Sequence, residues 1–260
     1  MTSDTLRTIL VTGATRGIGR TFVAILLQQT NVRVIAAVRH LQSADAKSLS
    51  GLPRASGTTL LLVKIDSSHR LDAQAAFASL KRDGVEKIDT IIANAGIAHE
   101  GAEVSETDLD VVAQQMEVNL IGPWALFKAF KGLLHTSTVP KFVALSTEVA
   151  SLTLRDSLPP VKLSAYGASK VALNYLVNRL AAEEPWLTCF AIHPGVVNTA
   201  LGDTAIKSLG GITMDNLLQD GRAVTKEEAA QRVLDFIEKA DQETTSGLVF
   251  NSSDGKVIPW

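Results

Sequence analysis

Apolar, β-branched runs alternate with amphipathic helical stretches along the whole chain, and this alternation restricts the possible folds more than any other feature. The seven candidate strands are Arg7–Val11, Val32–Val38, Leu60–Ile65, Thr90–Ala93, Lys141–Leu145, Leu187–Ile192 and Leu248–Phe250. The candidate helices are Ile18–Gln29, Asp72–Arg82, Glu106–His135, Ala165–Glu183 and Lys226–Ala240. Continuous apolar strands separated by helices are typical of a parallel sheet covered on both faces. The pattern therefore predicts an α/β fold with a doubly wound parallel sheet of seven strands and helices on both faces.

Composition narrows the class of protein further. A chain of 260 residues buries enough surface for one core, so we expect a single domain over residues 1–260. With 25 basic against 27 acidic residues there is no general positive field, and we expect neither a nucleic-acid nor a membrane partner. One cysteine and no zinc-like spacing of Cys and His predict no disulfide, no metal site and a reducing, cytoplasmic location.

A glycine-rich loop joins the first strand to the first helix. Residues 12–19 read TGATRGIG, in which Gly13 permits a tight turn, Gly17 lets the backbone approach a pyrophosphate, and Gly19 lets the helix pack on the strand. Thr15, Arg16 and Ile18 complete the loop, and the helix amino terminus would provide N–H groups for the phosphates. Glycines also cap ordinary turns, but the position between strand and helix favours a dinucleotide site.

The residues after the second strand indicate which dinucleotide binds. An NAD site carries a carboxylate about 20 residues after the glycine loop, where it accepts a hydrogen bond from the ribose 2′-hydroxyl. This strand ends in Val38 and Arg39, and no acid follows before Asp45. Arg16 and Arg39 together could bind a 2′-phosphate, although two solvated surface arginines are the simpler alternative. We interpret the pattern as NADP(H) binding.

Tyr166 and Lys170 form a candidate proton-transfer pair. Their spacing of four residues puts the phenol and the ammonium on one face of a predicted helix. A free tyrosine has a pKa of about 10, and a neighbouring cation lowers it. Such a tyrosine can protonate a nascent alkoxide or deprotonate an alcohol. Taken alone, the spacing is also that of an ordinary surface pair.

The motifs together resemble those of the short-chain dehydrogenases/reductases in their single-domain branch. The matching pieces are TGATRGIG, Asp66 after the third strand, Asn94-Ala95-Gly96 after the fourth, Asn119, Tyr166 with Lys170, and Pro194-Gly195 with Thr199. The resemblance implies a Rossmann-type sheet, a nicotinamide cofactor and hydride transfer at a carbonyl or alcohol carbon. The overall pattern is most similar to the C-factor and norsolorinic-acid-ketoreductase-like members.

The resemblance also implies individual roles. Asp66 would contact the adenine, and Asn94 would contact the ribose region. Val197 and Thr199 would contact the carboxamide of the nicotinamide. Lys170 would bind the nicotinamide ribose and lower the pKa of Tyr166. Asn119 would hold a water that links Lys170 to solvent. Each motif has a structural alternative: Asp66 as a helix cap, Asn94-Ala95-Gly96 as a turn, and Pro194-Gly195 as a strand terminator.

The substrate-orienting hydroxyl departs from the family pattern. Relatives carry a serine pair after the fifth strand, and here the pair reads Ser146-Thr147, which puts a threonine in the catalytic position. Threonine has the same hydrogen-bonding capacity as serine. Thr147 is therefore the first candidate, and Ser146 replaces it if the turn shifts by one residue.

Two irregular segments follow strand ends and are candidate substrate walls. They are Ser151–Lys162, which contains a Pro-Pro pair, and Ala200–Ala223, a glycine-rich and largely apolar segment interpreted as a substrate lid or as a disordered loop. We predict an NADPH-dependent carbonyl reductase that acts on a small-molecule ketone or aldehyde, and the resemblance hints at a carbonyl of secondary or polyketide metabolism. The alternatives are a redox-silent NADP(H)-binding sensor and an isomerase or cyclase on the same fold. The resemblance further implies a homodimer or homotetramer formed through the two long helices.

Overall fold

A seven-stranded, wholly parallel sheet forms the centre of the protein in the computed structural model, which describes residues 6–99, 101–158, 161–207 and 213–260. The strands are β1 Arg7–Thr12, β2 Val32–Val38, β3 Thr59–Lys64, β4 Thr90–Ala93, β5 Lys141–Leu145, β6 Thr188–His193 and β7 Val249–Asn251. Their order across the sheet is β3-β2-β1-β4-β5-β6-β7. The predicted fold class is confirmed, and each predicted strand lies within a residue or so of its observed bounds.

Alternate residues of the inner strands are buried on opposite faces, which explains why these strands are largely apolar, whereas Thr59 and Lys64 of the edge strand β3 are exposed. On β1, Leu10 contributes to the core on one face of the sheet, whereas Ile9 and Val11 contribute to the core on the other face. Parallel pairing of β1 with β2 sets Leu10 opposite Ile35. All the strands therefore end at the same edge of the sheet, and the sequence motifs that follow them lie at that edge.

Ten helices cover the two faces within the described residues. They are α1 Gly17–Leu27, α2 Ala44–Leu49, α3 Asp72–Arg82, α4 Leu109–Met116, α5 Gly122–His135, α6 Ser164–Glu183, α7 Ala200–Lys207, α8 Met214–Gln219, α9 Lys226–Lys239 and α10 Gln242–Thr245. Not one of the helices in these ranges is long and apolar enough to cross a membrane.

The predicted helix over residues 106–135 is wrong at its start and in its middle. The α-helix begins at Leu109, where the Asp108 side chain accepts a hydrogen bond from Asp110 N, and a π-helical turn, Glu117–Ile121, separates α4 from α5. Pro123 has no N–H to donate to the carbonyl of Asn119, which favours this wider turn. The turn sets the buried side chain of Asn119 against the loop after β4.

Candidate active site

A cleft of about 940 Å³ opens at the carboxyl edge of the sheet, between the loops that follow β1 to β6. The sequence-predicted residues that line it are Gly13, Thr15, Arg16, Gly17, Ile18, Gly19, Arg39, Asp66, Asn94, Ala95, Gly96, Ser146, Thr147, Tyr166, Lys170, Pro194, Gly195, Val197 and Thr199. Of the predicted site residues, Asn119 alone lies behind the wall of this cleft, fully buried.

The glycine loop has the shape that a pyrophosphate requires. Gly13 and Gly17 have φ of 67° and 54°, in the left-handed region. A Cβ on Gly19 would lie 2.3 Å from the carbonyl oxygen of Gly13, so only glycine lets α1 begin this close to β1. No side chain of the residues that the structure describes caps the start of α1, which leaves its first N–H groups available to a ligand. A dinucleotide pyrophosphate fits this loop.

Thr12 and Asn94 hold the glycine loop in place. Thr12 Oγ1 accepts hydrogen bonds from the backbone N–H of Asn94 and of Ala95, at 3.1 and 3.0 Å, and Asn94 Nδ2 donates to Thr12 O at 2.8 Å. A Cβ on Gly13 would approach Asn94 Nδ2 and Ala95 Cα at 3.0 Å. The Asn94-Ala95-Gly96 turn thus braces the end of β1, and its predicted contact with a ribose stays a prediction.

Two exposed arginines and one carboxylate stand at the end of the cleft beside β2 and β3. Arg16 and Arg39 line this end together with Asp66. Burial would raise the pKa of Asp66, but hydrogen bonds from Ser68, with His69 and Arg39 nearby, lower it overall. Asp66 caps no helix: its oxygens turn to Ser68, and α3 begins without a side-chain cap.

Tyr166 and Lys170 are both buried on the first turns of α6. Lys170 Nζ lies 5.8 Å from the centre of the Tyr166 ring and donates to the carbonyl oxygen of Leu145 at 2.7 Å. Burial lowers the pKa of Lys170 to about 8. Burial also raises the pKa of the Tyr166 phenol, opposite to the lowering predicted from its neighbouring cation. The phenol is therefore protonated at neutral pH.

Asn119 links the loop after β4 to α6. Its Oδ1 accepts from Ile97 N at 2.9 Å, while its Nδ2 donates to Ile97 O at 2.9 Å and to Ser169 Oγ at 3.0 Å. Ser169 Oγ in turn donates to Tyr166 O at 2.7 Å. The amide side chain thereby fixes the helix that carries Tyr166 and Lys170, and its predicted role of holding a water stays a prediction.

The two adjacent hydroxyls after β5 have different partners. Ser146 Oγ donates to Asn174 Oδ1 of α6 at 2.6 Å, inside the core. Among the described residues, Thr147 Oγ1 accepts a single hydrogen bond, a long one of 3.3 Å from Val149 N. The Ser146 hydroxyl is thus engaged by the scaffold, and the geometry favours Thr147 as the hydroxyl offered to a ligand.

The loop after β6 closes the opposite side of the cleft. Gly195 has φ of 92°, and Val197 pairs with Val224 in an isolated parallel bridge. Thr199 Oγ1 accepts from Gly202 N at 3.1 Å, and its methyl carbon would lie 3.5 Å from a Cβ on Gly17. This loop therefore stands beside the glycine loop, across the space expected for a nicotinamide ring.

Other side chains, several of them from the two predicted substrate walls, complete the cleft. The sequence did not single out its further titratable groups, which are Glu117, Glu148, His193 and Lys226. The apolar lining includes Val118, Val149, Leu158, Val161, Leu163, Leu201, Ala205, Ile206 and Leu217. Part of the predicted lid, Ala200–Ala223, folds as α7 and α8, whose residues Ile206 and Leu217 belong to a small apolar cluster of their own. Residues 208–212 of that segment, and Pro159 and Pro160 of the other, lie outside the described residues.

The cleft contains no evident metal centre. Across the described ranges, no three His, Cys, Asp or Glu side chains come together in a way that could hold an ion.

Comparison with known proteins identifies the family. A sequence model of the short chain dehydrogenases matches residues 7–209. The chain belongs to the short-chain dehydrogenase family. It is accordingly an oxidoreductase, and the resemblance inferred from the motifs is confirmed.

Individual relatives agree with this assignment. The norsolorinic acid ketoreductase of Aspergillus parasiticus is 34% identical over 253 residues, which cover 96% of this chain and 90% of the relative. The norsolorinic acid ketoreductase of Dothistroma septosporum is also 34% identical, over 256 residues, with 97% and 92% covered. The crystal structure of an NADPH-bound carbonyl reductase from chicken fatty liver superimposes with a TM-score of 0.83 at 27% identity and covers 98% of this chain and 99% of that one.

Proposed function

We propose that the protein is an NADPH-dependent carbonyl reductase that converts a ketone or aldehyde to an alcohol. The observation that carries the proposal is the buried pair of Tyr166 and Lys170 at the cleft. The Thr147 hydroxyl, which accepts a long hydrogen bond from Val149 N, lines the same cleft. Burial keeps the phenol protonated, as a donor for a nascent alkoxide must be. Thr147 would orient the carbonyl oxygen by a hydrogen bond.

The cofactor proposal rests on the shape and charge of the other half of the cleft. NADPH, when bound, supplies the hydride for the carbonyl carbon. The uncapped start of α1 and the three glycines would hold the pyrophosphate, and Arg16 with Arg39 the 2′-phosphate. The chicken-liver relative, whose structure contains NADPH, supports this choice.

The proposed substrate class rests on the apolar side chains that line the cleft and on the activity of the similar ketoreductases. Val149, Val161, Leu163, Ile206 and Leu217 offer an apolar surface to a substrate of some size. The norsolorinic acid ketoreductases support a ketone of secondary or polyketide metabolism. The parts of the predicted lid that fold as α7 and α8 would exclude water from this ketone.

The test is the substitution Tyr166→Phe in an assay of NADPH oxidation against a panel of ketones. We expect turnover to fall by at least about a hundredfold, because the proton donor is lost, while NADPH binding measured by fluorescence titration is unchanged. Retained turnover would refute the role of Tyr166.

Two other functions give different outcomes in the same experiment. A redox-silent sensor would bind NADPH and oxidise it with no ketone of the panel. An isomerase or cyclase would convert a substrate without consuming NADPH, and product analysis without cofactor would detect it.

Assembly into a homodimer or homotetramer is a further proposal. Exposed apolar side chains on the helices from Leu109 to Glu183 include Leu109, Trp124 and Tyr175. Light scattering on the purified protein would give twice or four times the mass of one chain, and a monomeric mass would contradict the proposal.

A further inference from the structure

A carboxylate without a hydrogen-bond partner stands in the substrate half of the cleft. Glu148 directly follows Thr147 and begins a short 3-10 turn, Glu148–Ala150. Its side chain lines the cleft and is 32% exposed. Within the part of the chain that the structure describes, no donor forms a hydrogen bond to its oxygens. An imidazole lies beside the carboxylate, with His193 Nε2 at 3.8 Å from Glu148 Oε1.

His193 does not neutralise this carboxylate. The imidazole is 8% exposed at the end of β6, and burial lowers its pKa to about 4, so it is uncharged at neutral pH. Its Nδ1 is buried and has no hydrogen-bond partner among the described residues. The wall beside Thr147 therefore contains two polar groups with unused hydrogen-bonding capacity.

The other carboxylates of the cleft are already satisfied. Asp66 accepts hydrogen bonds from Ser68, at the adenine end. Glu117 accepts two hydrogen bonds of 2.7 Å from Arg70. Glu148, by contrast, has apolar neighbours along the same wall, and burial raises its pKa. Partial desolvation without a donor is unfavourable for a carboxylate, and a ligand that brings a donor would relieve it.

We propose that Glu148 is a specificity-determining residue that accepts a hydrogen bond from a hydroxyl group of the substrate. The substrate is then a hydroxylated ketone, with its carbonyl oxygen at Thr147 and Tyr166 and a hydroxyl within reach of the adjacent Glu148. This inference rests on the proposed reductase function and names the substrate class for the same site. The hydroxyl stays on the substrate throughout, and Glu148 takes no part in the chemical step.

The energetic consequence is a preference for hydroxyl over ether. A hydroxyl can donate to the carboxylate, whereas a methoxyl group at the same position brings only another acceptor. Hydrogen bonds to a charged group change affinity by about 10- to 100-fold. Leucine at position 148 would remove the acceptor while matching its apolar neighbours, and glutamine would keep an uncharged acceptor.

The experiment compares meta- and para-hydroxyacetophenone with meta- and para-methoxyacetophenone, in which a methyl group replaces the hydroxyl proton. Their binding to the enzyme without cofactor is measured by calorimetry, and kcat/KM is measured with NADPH. The proteins are the wild type, Glu148→Leu, Glu148→Gln and a control, Glu183→Leu, at the far end of α6, where Glu183 forms an exposed ion pair with Arg179. The melting temperature of each variant verifies that it is folded.

In the wild type and in Glu183→Leu, we expect the affinity and kcat/KM for a hydroxyl compound to exceed those for its methoxyl counterpart by about tenfold or more. Glu148→Gln should keep part of this preference, and Glu148→Leu should lose it. Equal binding of hydroxyl and methoxyl compounds by the wild type, or a preference that survives in Glu148→Leu, would overturn the inference. If Glu148-dependent binding is observed and no compound is reduced, the ligand site stands and the reductase proposal fails. If both compounds are reduced equally well, the reductase proposal stands and the inference fails.

Discussion

At the scale of single residues, two opposing effects set the pKa of Tyr166. The Lys170 cation 5.8 Å from the ring favours the phenolate, while burial favours the phenol. Burial dominates, and it also lowers the pKa of Lys170 to about 8, which weakens the cation as the pH rises. A protonated phenol suits the reductive direction, in which the tyrosine gives up its proton.

Arg39 is the residue on which the choice of cofactor is most directly tested. In Arg39→Asp the charge that would bind a 2′-phosphate is replaced by a carboxylate that can accept from a 2′-hydroxyl. We expect the ratio of kcat/KM for NADPH to that for NADH to fall by at least about tenfold. The control is Arg54→Asp, an exposed arginine that donates to Ser50 O at 3.0 Å, where the ratio should stay the same. An unchanged ratio in Arg39→Asp would disprove 2′-phosphate binding by this side chain.

Substitutions of the neighbouring residues Ser146 and Thr147 should affect different properties: stability for Ser146 and turnover for Thr147. Ser146→Ala leaves the buried Asn174 Oδ1 without its donor, so we expect the free energy of unfolding to fall by about 1–3 kcal/mol with turnover largely kept. Thr147→Val preserves the shape and removes the hydroxyl, so kcat should fall by about a hundredfold or more, and Thr147→Ser should restore it. Urea unfolding and steady-state kinetics measure the two effects. The opposite assignment, with Ser146→Ala inactive and Thr147→Val active, would make Ser146 the orienting group.

At the scale of elements, short-range sequence signals account for much of the structure. The glycine loop, the apolar strands and the helices α1, α3, α6 and α9 are all determined by nearby residues, and the sequence predicts them with small errors at their ends. The short helix α8 also has a local signal, a capping box between Thr213 and Asn216, although the glycine-rich composition around it masks that signal.

The π-helical turn depends instead on contacts between distant elements. A Cβ on Gly122 would lie 2.7 Å from Ser67 Cβ, so the start of α5 approaches the loop after β3 closely. Asn119 joins the same turn to Ile97 and Ser169, which are 22 and 50 residues away in the chain. A hydrophobic periodicity cannot reveal such pairings, and it therefore predicts one continuous helix there.

Asn119→Ala tests how the π-helical turn supports the site. The substitution removes three side-chain hydrogen bonds and leaves Ile97 N–H and C=O without partners, so we expect a loss of about 3 kcal/mol in the free energy of unfolding. Turnover should fall as well, because α6 loses a restraint beside Tyr166. Ser169→Ala, which removes only the last of these three bonds and the one to Tyr166 O, should cost about 1 kcal/mol. Equal losses in the two variants, measured by urea unfolding, would contradict this account.

At the scale of the whole molecule, the sequence predicts the location of the site better than its finer contacts. Parallel strands end at one edge, so motifs placed after each strand converge there whatever their separation in the chain. The partners of individual side chains are set by which faces meet across the sheet. Glu148 and His193 come together only because β5 lies beside β6, with Leu145 opposite Ile192. No spacing in the sequence indicates such a pair.

The buried imidazole of His193 makes the stability of the whole fold depend on pH. Its folded-state pKa of about 4 lies below the ordinary 6.5, so the unfolded chain binds the proton more readily. The stability due to a neutral His193 is complete above pH 6.5 and is lost as the pH falls toward 4. Between neutral pH and pH 5 this single group should lower the free energy of unfolding by about 2 kcal/mol.

The comparison of the wild type with His193→Gln isolates this contribution, because protonation of the carboxylates affects both proteins alike. Urea unfolding at neutral pH and at about pH 5 should show a smaller loss of stability in His193→Gln, by about 2 kcal/mol. The glutamine side chain in this variant would remain close to Glu148 but would not titrate, so the packing change that it introduces has the same effect at both pH values and cancels when the two losses are compared. His135, an exposed histidine stacked against Trp186, provides the matched control, and His135→Gln should lose stability on acidification as the wild type does. Equal losses of stability on acidification in all three proteins would mean that His193 is protonated in the folded state without penalty. The end of β6 would then be more open to water than its burial implies.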